Sequence, residues 1–321
     1  MVASSATSKG TVAGAAQRKP PASLNGLQPV SKTAARPKPL RKGAPQPVKS
    51  AGDRPRKVKA AGKTEPLLIP YCSFGLIKGT LVDDTLRAFL GWDLGESKRS
   101  NLDRIRASNS IGAASQAWLK QVCTTISRRF DPSGRDRSLV LAAQSKTGQR
   151  CWRPLLLWHM ANSESLLGDG LSWIWSCHAN GQETLQTAQA LEWLEQAPQR
   201  DHPEVADWSL STRKRVAGGL LKAAVDFDLL QGKVRRRFTA YYLSDEALLY
   251  VLSDLLASNR TTAGALADRR WRWFRLTEEQ LEHRLLELHQ RKVISYYRAG
   301  SVVELKLPAP GPERLVREGW G

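Results

Sequence analysis

Histidines, cysteines and carboxylates are the side chains that hold metals or move protons, and their spacing in this chain supports neither role. The five histidines, at 159, 178, 202, 283 and 289, form no H-E-x-x-H, and His283 and His289 stand six apart, on different faces of any helix that carries both. Cys177-His178 is an adjacent pair with no partner at zinc-ligand spacing. Both features read as structural. Glu304-Leu305-Lys306 has the E-x-K order of metal-dependent nucleases, in which carboxylates hold Mg²⁺ and the lysine polarises a phosphate. That chemistry needs an upstream aspartate on an adjacent strand and no convincing one precedes it, so a plain strand is the stronger reading. No G-x-x-x-x-G-K-[ST], G-x-G-x-x-G or G-x-S-x-G occurs, which excludes the phosphate cradles and nucleophile elbows those motifs build. The expectation is a protein that is not an enzyme, with no catalytic residue, no metal and no cofactor.

Anion-binding chemistry is present instead. Residues 209–225 read SLSTRKRVAGGLLKAAV, with Ser211 or Thr212 as the expected helix N-cap and Arg213, Lys214 and Arg215 in the first turn. Cations there oppose the helix macrodipole at a cost of some tenths of a kcal/mol each, and a counter-anion would reverse the sign. A helix start offers free N–H groups to a phosphate, and the hydroxyls add hydrogen bonds, so the stretch suits a DNA backbone. The competing reading is an ordinary helix packing into a core. Lys233, Arg235, Arg236 and Arg237 follow just past Gly232, where the wing of a winged helix would reach a flanking groove. A third cluster, RRWRWFR at 269–275, would either stack on unpaired bases or anchor a helix to the core, the second being the stronger reading. The candidate DNA contacts are therefore Ser211, Thr212, Arg213, Lys214, Arg215, Lys233, Arg235, Arg236 and Arg237, with Arg298 on a closing hairpin.

The elements that must position these residues are mostly helices. LVDDTLRAFLGW places Leu81, Thr85, Leu86, Phe89 and Leu90 on one stripe closed by Gly91. NSIGAASQAWLKQVCTTISRRF continues the helical period through Ile111, Trp118, Val122 and Ile126, and Arg128-Arg129 suit the negative end of its dipole. Residues 152–178 and 184–196 read as two or three more helices. After 209–225, FDLLQGKVRRRF reads as a turn and a short strand, SDEALLYVLSDLLA as a helix capped by Ser244, and LTEEQLEHRLLELHQ as a helix with a Thr277/Gln280 capping box and a buried stripe of Leu281, Leu285 and Leu288. Residues 293–298 and 301–307 are strand-like runs separated by Ala299-Gly300, a hairpin. The helix-then-hairpin order recurs: Leu220-Leu221 follow Thr212 at the offsets at which Leu285-Leu286 follow Thr277. The predicted fold class is mainly α: a disordered basic N-terminal tail over 1–65, a helical bundle over 66–200, and a winged-helix-like α+β domain over 201–321.

The chain has 321 residues, 41% of them hydrophobic, with eleven tryptophans, enough for a sizeable core. Of the formal charge of +19, +12 lies in residues 1–65, which hold 14 basic and 2 acidic residues, 8 prolines and no aromatic. That segment cannot bury enough apolar surface to offset its ordering entropy. It is a solvated linker, a polyphosphate-binding arm, or both. The four cysteines include no C-x-x-C, and no secretory signal pattern opens the chain, so reduced thiols and a cytoplasmic location are expected. No uncharged apolar run approaches the roughly 18–20 residues of a spanning helix, and membrane insertion is not expected.

Three stretches carry a resemblance to a known family: GLIKGTLVDDTLRAFLGW, NSIGAASQAWLKQVCTTISRRF, with a helix opening at Asn109-Ser110 and its terminal Arg pair, and SLSTRKRVAGGLLKAAVDFDLLQG. With the closing hairpin they span roughly 70–310 and resemble, in pattern and order, BrxA, the small component of BREX bacteriophage-exclusion systems, sometimes labelled an inner-membrane protein. The resemblance implies a helical, NusB-like and winged-helix-like DNA-binding accessory of phage defence without catalytic residues. The chain departs from that pattern by its basic tail and by Asp228, where a glycine is expected before Leu229-Leu230. The partners expected are duplex DNA and other BREX components. The alternatives are an RNA-binding antitermination-type factor and a protein scaffold of a defence complex.

Overall fold

Short amphipathic segments punctuated by hydroxyl caps become a layered set of helices. The computed structural model describes residues 69–259, 261–300 and 302–320. In order these are α1 (Ser73–Lys78), α2 (Val82–Leu90), α3 (Lys98–Ser108), α4 (Gln116–Arg129), α5 (Arg137–Gln144), α6 (Lys146–Arg150), α7 (Trp152–Ser163), α8 (Ser165–Ala179), β1 (Thr184–Leu185), α9 (Thr187–Glu195), α10 (Leu210–Asp226), β2 (Leu230–Gln231), β3 (Arg236–Phe238), α11 (Asp245–Ser258), α12 (Thr262–Leu266), α13 (Glu278–Gln290), β4 (Ser295–Ala299) and β5 (Val302–Lys306). The fold is mainly helical, as expected. The 1–65 tail lies outside the described residues.

Most helix starts follow capping chemistry. Ser97, Ser115, Ser244 and Thr261 each accept a backbone N–H with the side-chain oxygen, and Thr277 with Gln280 closes the expected capping box at 3.1 and 3.0 Å. Two expectations fail. Asn109 does not open a helix; it ends α3 in the left-handed region (φ 47°), its side chain bonded to both backbone groups of Ala113, and α4 starts only at Ser115. Leu90, assigned to the buried stripe of α2, is 44% exposed.

Arg129, expected to complement the end of its own helix, is buried under another. Its guanidinium bonds Glu164 at 2.6 Å and the carbonyls of Thr80, Gly75 and Gly79 at 3.2, 3.1 and 3.0 Å. It thus satisfies the orphaned carbonyls at the end of α1 and fixes the turn in which Leu81 sits at φ 52°, a costly conformation for a branched residue. Gly75 makes room for this, since a Cβ there would lie 2.0 Å from Glu164 Oε2.

The described residues belong to one compact unit, with a single cluster of buried apolar side chains running from Tyr71 to Val316. The expected boundary near 200 falls between α9 and α10, which pack side by side. Trp158, Trp273 and Phe274 pack together within that cluster, the Trp158 ring centroid 5.5 Å from that of Trp273 and 6.2 Å from that of Phe274. This settles RRWRWFR in favour of core anchoring: Trp271, Trp273 and Phe274 are buried, and Trp271 donates to the Ala265 carbonyl at 3.0 Å. A buried chain of polar groups also threads the core: Asp136 to His159 (2.7 Å), His159 to Tyr250 (2.8 Å) and Tyr250 to Ser138 (2.7 Å).

Helix followed by hairpin occurs twice. α10 and α13 are both followed by a left-handed residue, Asp228 (φ 61°) and Lys292 (φ 60°), and both close with a backbone bond that reaches back into the last turn, Leu229 to Ala224 at 2.9 Å and Val293 to Leu288 at 3.0 Å. Shifting one onto the other by the step from Asp228 to Lys292 lays buried Ala217, Leu221 and Ala224 on buried Leu281, Leu285 and Leu288. The register expected from sequence, Leu220 on Leu285, is one residue off, and Leu286 is 44% exposed.

Candidate nucleic-acid interface

α10 has to serve the core and the surface together. Val216, Ala217, Leu220, Leu221, Ala223 and Ala224 are buried. Gly218-Gly219 would cost a helix interior about 1 kcal/mol each, and close packing accounts for the second: a Cβ on Gly219 would stand 2.5 Å from the Leu76 carbonyl of α1, whereas one on Gly218 would make only ordinary contact with Thr187 at the start of α9. Gly170 of α8 likewise admits the Leu220 side chain. The helix is therefore wedged among α1, α8 and α9, and only its first turn and outer stripe meet solvent.

That first turn is capped by Ser209, ahead of the two residues expected. Its hydroxyl accepts from the Thr212 N–H at 3.2 Å and meets the hydroxyls of Ser211 and Thr212 at 2.9 and 3.0 Å. Arg213 is half-buried and pairs with Glu195, the last residue of α9, at 3.4 Å. Lys214 and Arg215 are exposed and, among the described residues, have no acidic partner.

The second element is a small antiparallel sheet that sequence patterning caught only in part. β3 is central, pairing with β1 on one side (Thr184 opposite Arg237, Leu185 opposite Arg236) and β2 on the other (Leu230 opposite Phe238, Gln231 opposite Arg237). Two-residue β1 is too short to give an alternation signal. Gly232 (φ 108°) makes the turn, since a Cβ there would lie 2.6 Å from the Arg235 carbonyl. The tip carries Lys233, Val234 and Arg235, all exposed, with Val234 75% so. Arg236 turns inward to Thr187 at 3.4 Å, and its burial pulls its pKa down. Arg237 faces out.

Thr187 connects the two elements. It touches Arg236 of the hairpin and sits beside Gly218 of α10. Gly218 lies three to five residues past Arg213–Arg215, about 5–8 Å along the helix axis at 1.5 Å per residue. Thr187 thus ties the hairpin to α10 about one turn beyond Lys214 and Arg215, and no ion pair among the described residues engages Lys214, Arg215, Lys233, Arg235 or Arg237. Arg298 is elsewhere and differently placed. It lies on β4, held by Glu282 at 2.7 Å and Glu278 at 3.4 Å, and hydrogen bonding and charge from Glu282 push its pKa up. The α13 positions matching Arg213, Lys214 and Arg215 are Thr277, Glu278 and Glu279, so the second helix–hairpin is acidic where the first is basic.

Among the described residues no group of three or more His, Cys, Asp or Glu side chains could hold a metal ion, and no helix is long and apolar enough to cross a membrane. Glu304 and Lys306 are exposed on β5, with Glu304 opposite Tyr297.

The fold is mainly helical, and within it hairpin β2–β3 pairs back onto β1, two helices earlier in the chain. The BrxA family model matches residues 73–253, more than half of the chain, and the chain belongs to that family. Membership sets it in the context of BREX antiviral defence. The match covers α1 through α10 and the first hairpin and ends within α11, so α12, α13 and β4–β5 lie beyond it. No curated protein matches the chain.

Proposed function

We propose that this BrxA-family chain is a non-catalytic duplex-DNA-binding component of a BREX-type defence system, acting in the cytoplasm. The observation that carries the reading is the set of five cations, unpaired among the described residues, on the α10 start and the β2–β3 hairpin. Cations at a helix N-terminus oppose its dipole, and without an anion they are a net cost. With a phosphate in place, the cations, the free N–H groups of the first turn and the Ser211 and Thr212 hydroxyls all become donors to one ligand. Element order supports a winged-helix-like docking, with the α10 start toward the major groove, which is about 12 Å wide, and the hairpin tip toward the flanking backbone. Arg213, tied to Glu195, positions the turn, and Arg236, held against Thr187, braces the hairpin. Arg298 takes no part, because Glu278 and Glu282 already answer its charge.

Titration of labelled duplex DNA by fluorescence anisotropy over a range of salt tests this. Expected are binding that weakens linearly in log salt and competition by duplex DNA in preference to structured RNA. Absence of binding at low salt sinks the proposal, and preferential competition by RNA replaces it with the RNA-binding reading.

A further inference from the structure

Opposed residues in an antiparallel ladder project to the same side of the sheet. Thr184 and Gln231 both stand opposite Arg237, so these three share the outer face, while Leu185 and Leu230 are buried on the other; Arg236 and Phe238 belong to that second face but are only half-buried, and Phe238 borders the cleft beside His178. Beside that outer face, the turn after α8 closes a cleft of about 480 Å³ lined by His178, Gln182, Glu183, Gln231, Arg237 and Phe238. It is of a size that takes small organic ligands.

Most of its polar lining is unpartnered. Among the described residues the side chains of Gln182, half-buried, and of Glu183, Gln231 and Arg237, exposed, have no hydrogen-bond or ion-pair partner, and all four residues line this one cleft. The inner wall is aromatic, with the His178 ring 4.7 Å from that of Phe238. His178 Nε2 is engaged by Arg275, and burial together with that cation lowers the His178 pKa, so the wall is neutral at pH 7.

The chemistry narrows the ligand by elimination. A free phosphate would meet one cation, Arg237, and be repelled by Glu183. A metal ion would find one carboxylate. A purely apolar ligand would strip water from four polar side chains with nothing in return. A planar heteroaromatic with an amino edge meets every group: Glu183 accepts from the exocyclic amine, the glutamine amides offer both donors and acceptors to the ring edge, and His178 and Phe238 supply the apolar wall. Arg237, at the junction with the basic face, is left for the attached phosphate.

We infer that this cleft takes one unpaired, amino-bearing nucleobase (adenine, cytosine or guanine) from nucleic acid lying on the adjoining α10–hairpin face. This rests on the DNA-binding reading above and adds a preference to it. Extruding a base from an intact duplex costs a few kcal/mol and least where it is already unpaired, so the site selects bulged or mismatched duplex.

Anisotropy titrations with three duplexes test it: fully paired, with one bulged cytosine, and with one bulged thymine, whose lack of an amine controls for the added flexibility of a bulge. The cytosine bulge should bind about fivefold or more tighter than the other two, the low end of discrimination by one bidentate base contact. Gln182→Ala/Glu183→Ala/Gln231→Ala should abolish that preference while leaving paired-duplex affinity and the melting temperature in place, and the near-isosteric Glu183→Gln should reduce it. Equal wild-type affinity for the three duplexes overturns the inference and leaves the DNA-binding reading standing, as does a preference that survives in a folded triple variant. No binding to any of the three refutes the DNA-binding reading itself, and this site with it.

Discussion

Lys214→Ala/Arg215→Ala separates a helix start that meets phosphate from one that merely faces water. Both side chains are exposed, neither has an acidic partner among the described residues, and Arg213 with its Glu195 pair is left intact. The core stripe begins only at Val216, so nothing buried changes. Removing two cations from a helix N-terminus relieves roughly 0.3–1 kcal/mol each at low salt. For a chain of this size about 1 kcal/mol raises Tm by roughly 2–4 °C. Stability should therefore hold or rise slightly. DNA affinity should fall: each phosphate left without its cation lowers the slope of log K against log salt by about 0.9, so two such phosphates remove about 1.8. Between about 50 and 200 mM salt the wild type should then lose roughly tenfold more affinity than the variant. Anisotropy at several salt concentrations reads the slope, and thermal melting reads the stability. An unchanged slope and affinity in a folded variant would refute the phosphate assignment and leave Lys233, Arg235 and Arg237 to carry whatever binding remains.

Arg129→Ala leaves Glu164 and three carbonyls in the core without their partner and should cost about 3–5 kcal/mol, read as a fall in denaturant midpoint. Gly75→Ala pushes on Glu164 and should destabilise as well, but combined with Glu164→Ala the two effects should be less than additive, since both act through one carboxylate. Burial alone would raise the pKa of Asp136, yet the hydrogen bonds from His159, Arg135 and the Asp131 N–H outweigh it and the net shift is downward. A folded pKa below the unfolded one contributes stability that is present above the unfolded value, near 3.9, and lost as pH falls through the folded one. Stability should therefore drop as pH is taken below about 4, and Asp136→Asn should be less stable at neutral pH with a flatter acid limb in pH-dependent unfolding. Lys292→Gly, at φ 60°, relieves a left-handed residue at the end of α13 and should raise Tm slightly.

The helices were legible where a cap and an apolar stripe agreed, as at Ser244 and at Thr277 with Gln280, because both signals are local. Three kinds of feature were not. Left-handed residues hide within a helical pattern, so Asn109 read as a helix start although it ends α3. Long-range polar contacts leave no periodic trace: Arg129 follows the period of α4, while its role depends on α1 and on Glu164, 35 positions later. Two-residue strands fall below any alternation signal, and with β1 missed the cleft beside the hairpin could not be foreseen. For the candidate interface the residue types were readable, since a run of cations at a helix start is locally unfavourable and asks for an explanation. Which cations are free was not. Glu195, Thr187 and Glu282 claim Arg213, Arg236 and Arg298 through pairings that depend on the fold.

The two helix–hairpin units show why the first is the better suited to a polyanion. Both end their helix with the same backbone bonding, and both bury equivalent positions, so packing cannot distinguish them. Their surfaces differ in sign. In the second, Glu278 and Glu279 stand in the first turn of α13, where acids suit the dipole, and Glu278 and Glu282 answer the hairpin's Arg298. Asp245 of α11 pairs two further arginines, Arg284 of α13 and Arg291 just past its end. In the first, the turn that should carry acids carries Arg213, Lys214 and Arg215, and the hairpin tip adds Lys233 and Arg235 without a counter-charge among the described residues. α10 is packed tightly from behind, with Gly219 against the α1 carbonyl of Leu76 and Leu220 against Gly170 of α8. A rigid, preorganised excess of positive charge is a cost to the isolated protein and is offset only when an anion arrives. That asymmetry makes the α10 start, rather than the α13 start, the better suited of the two to an anion.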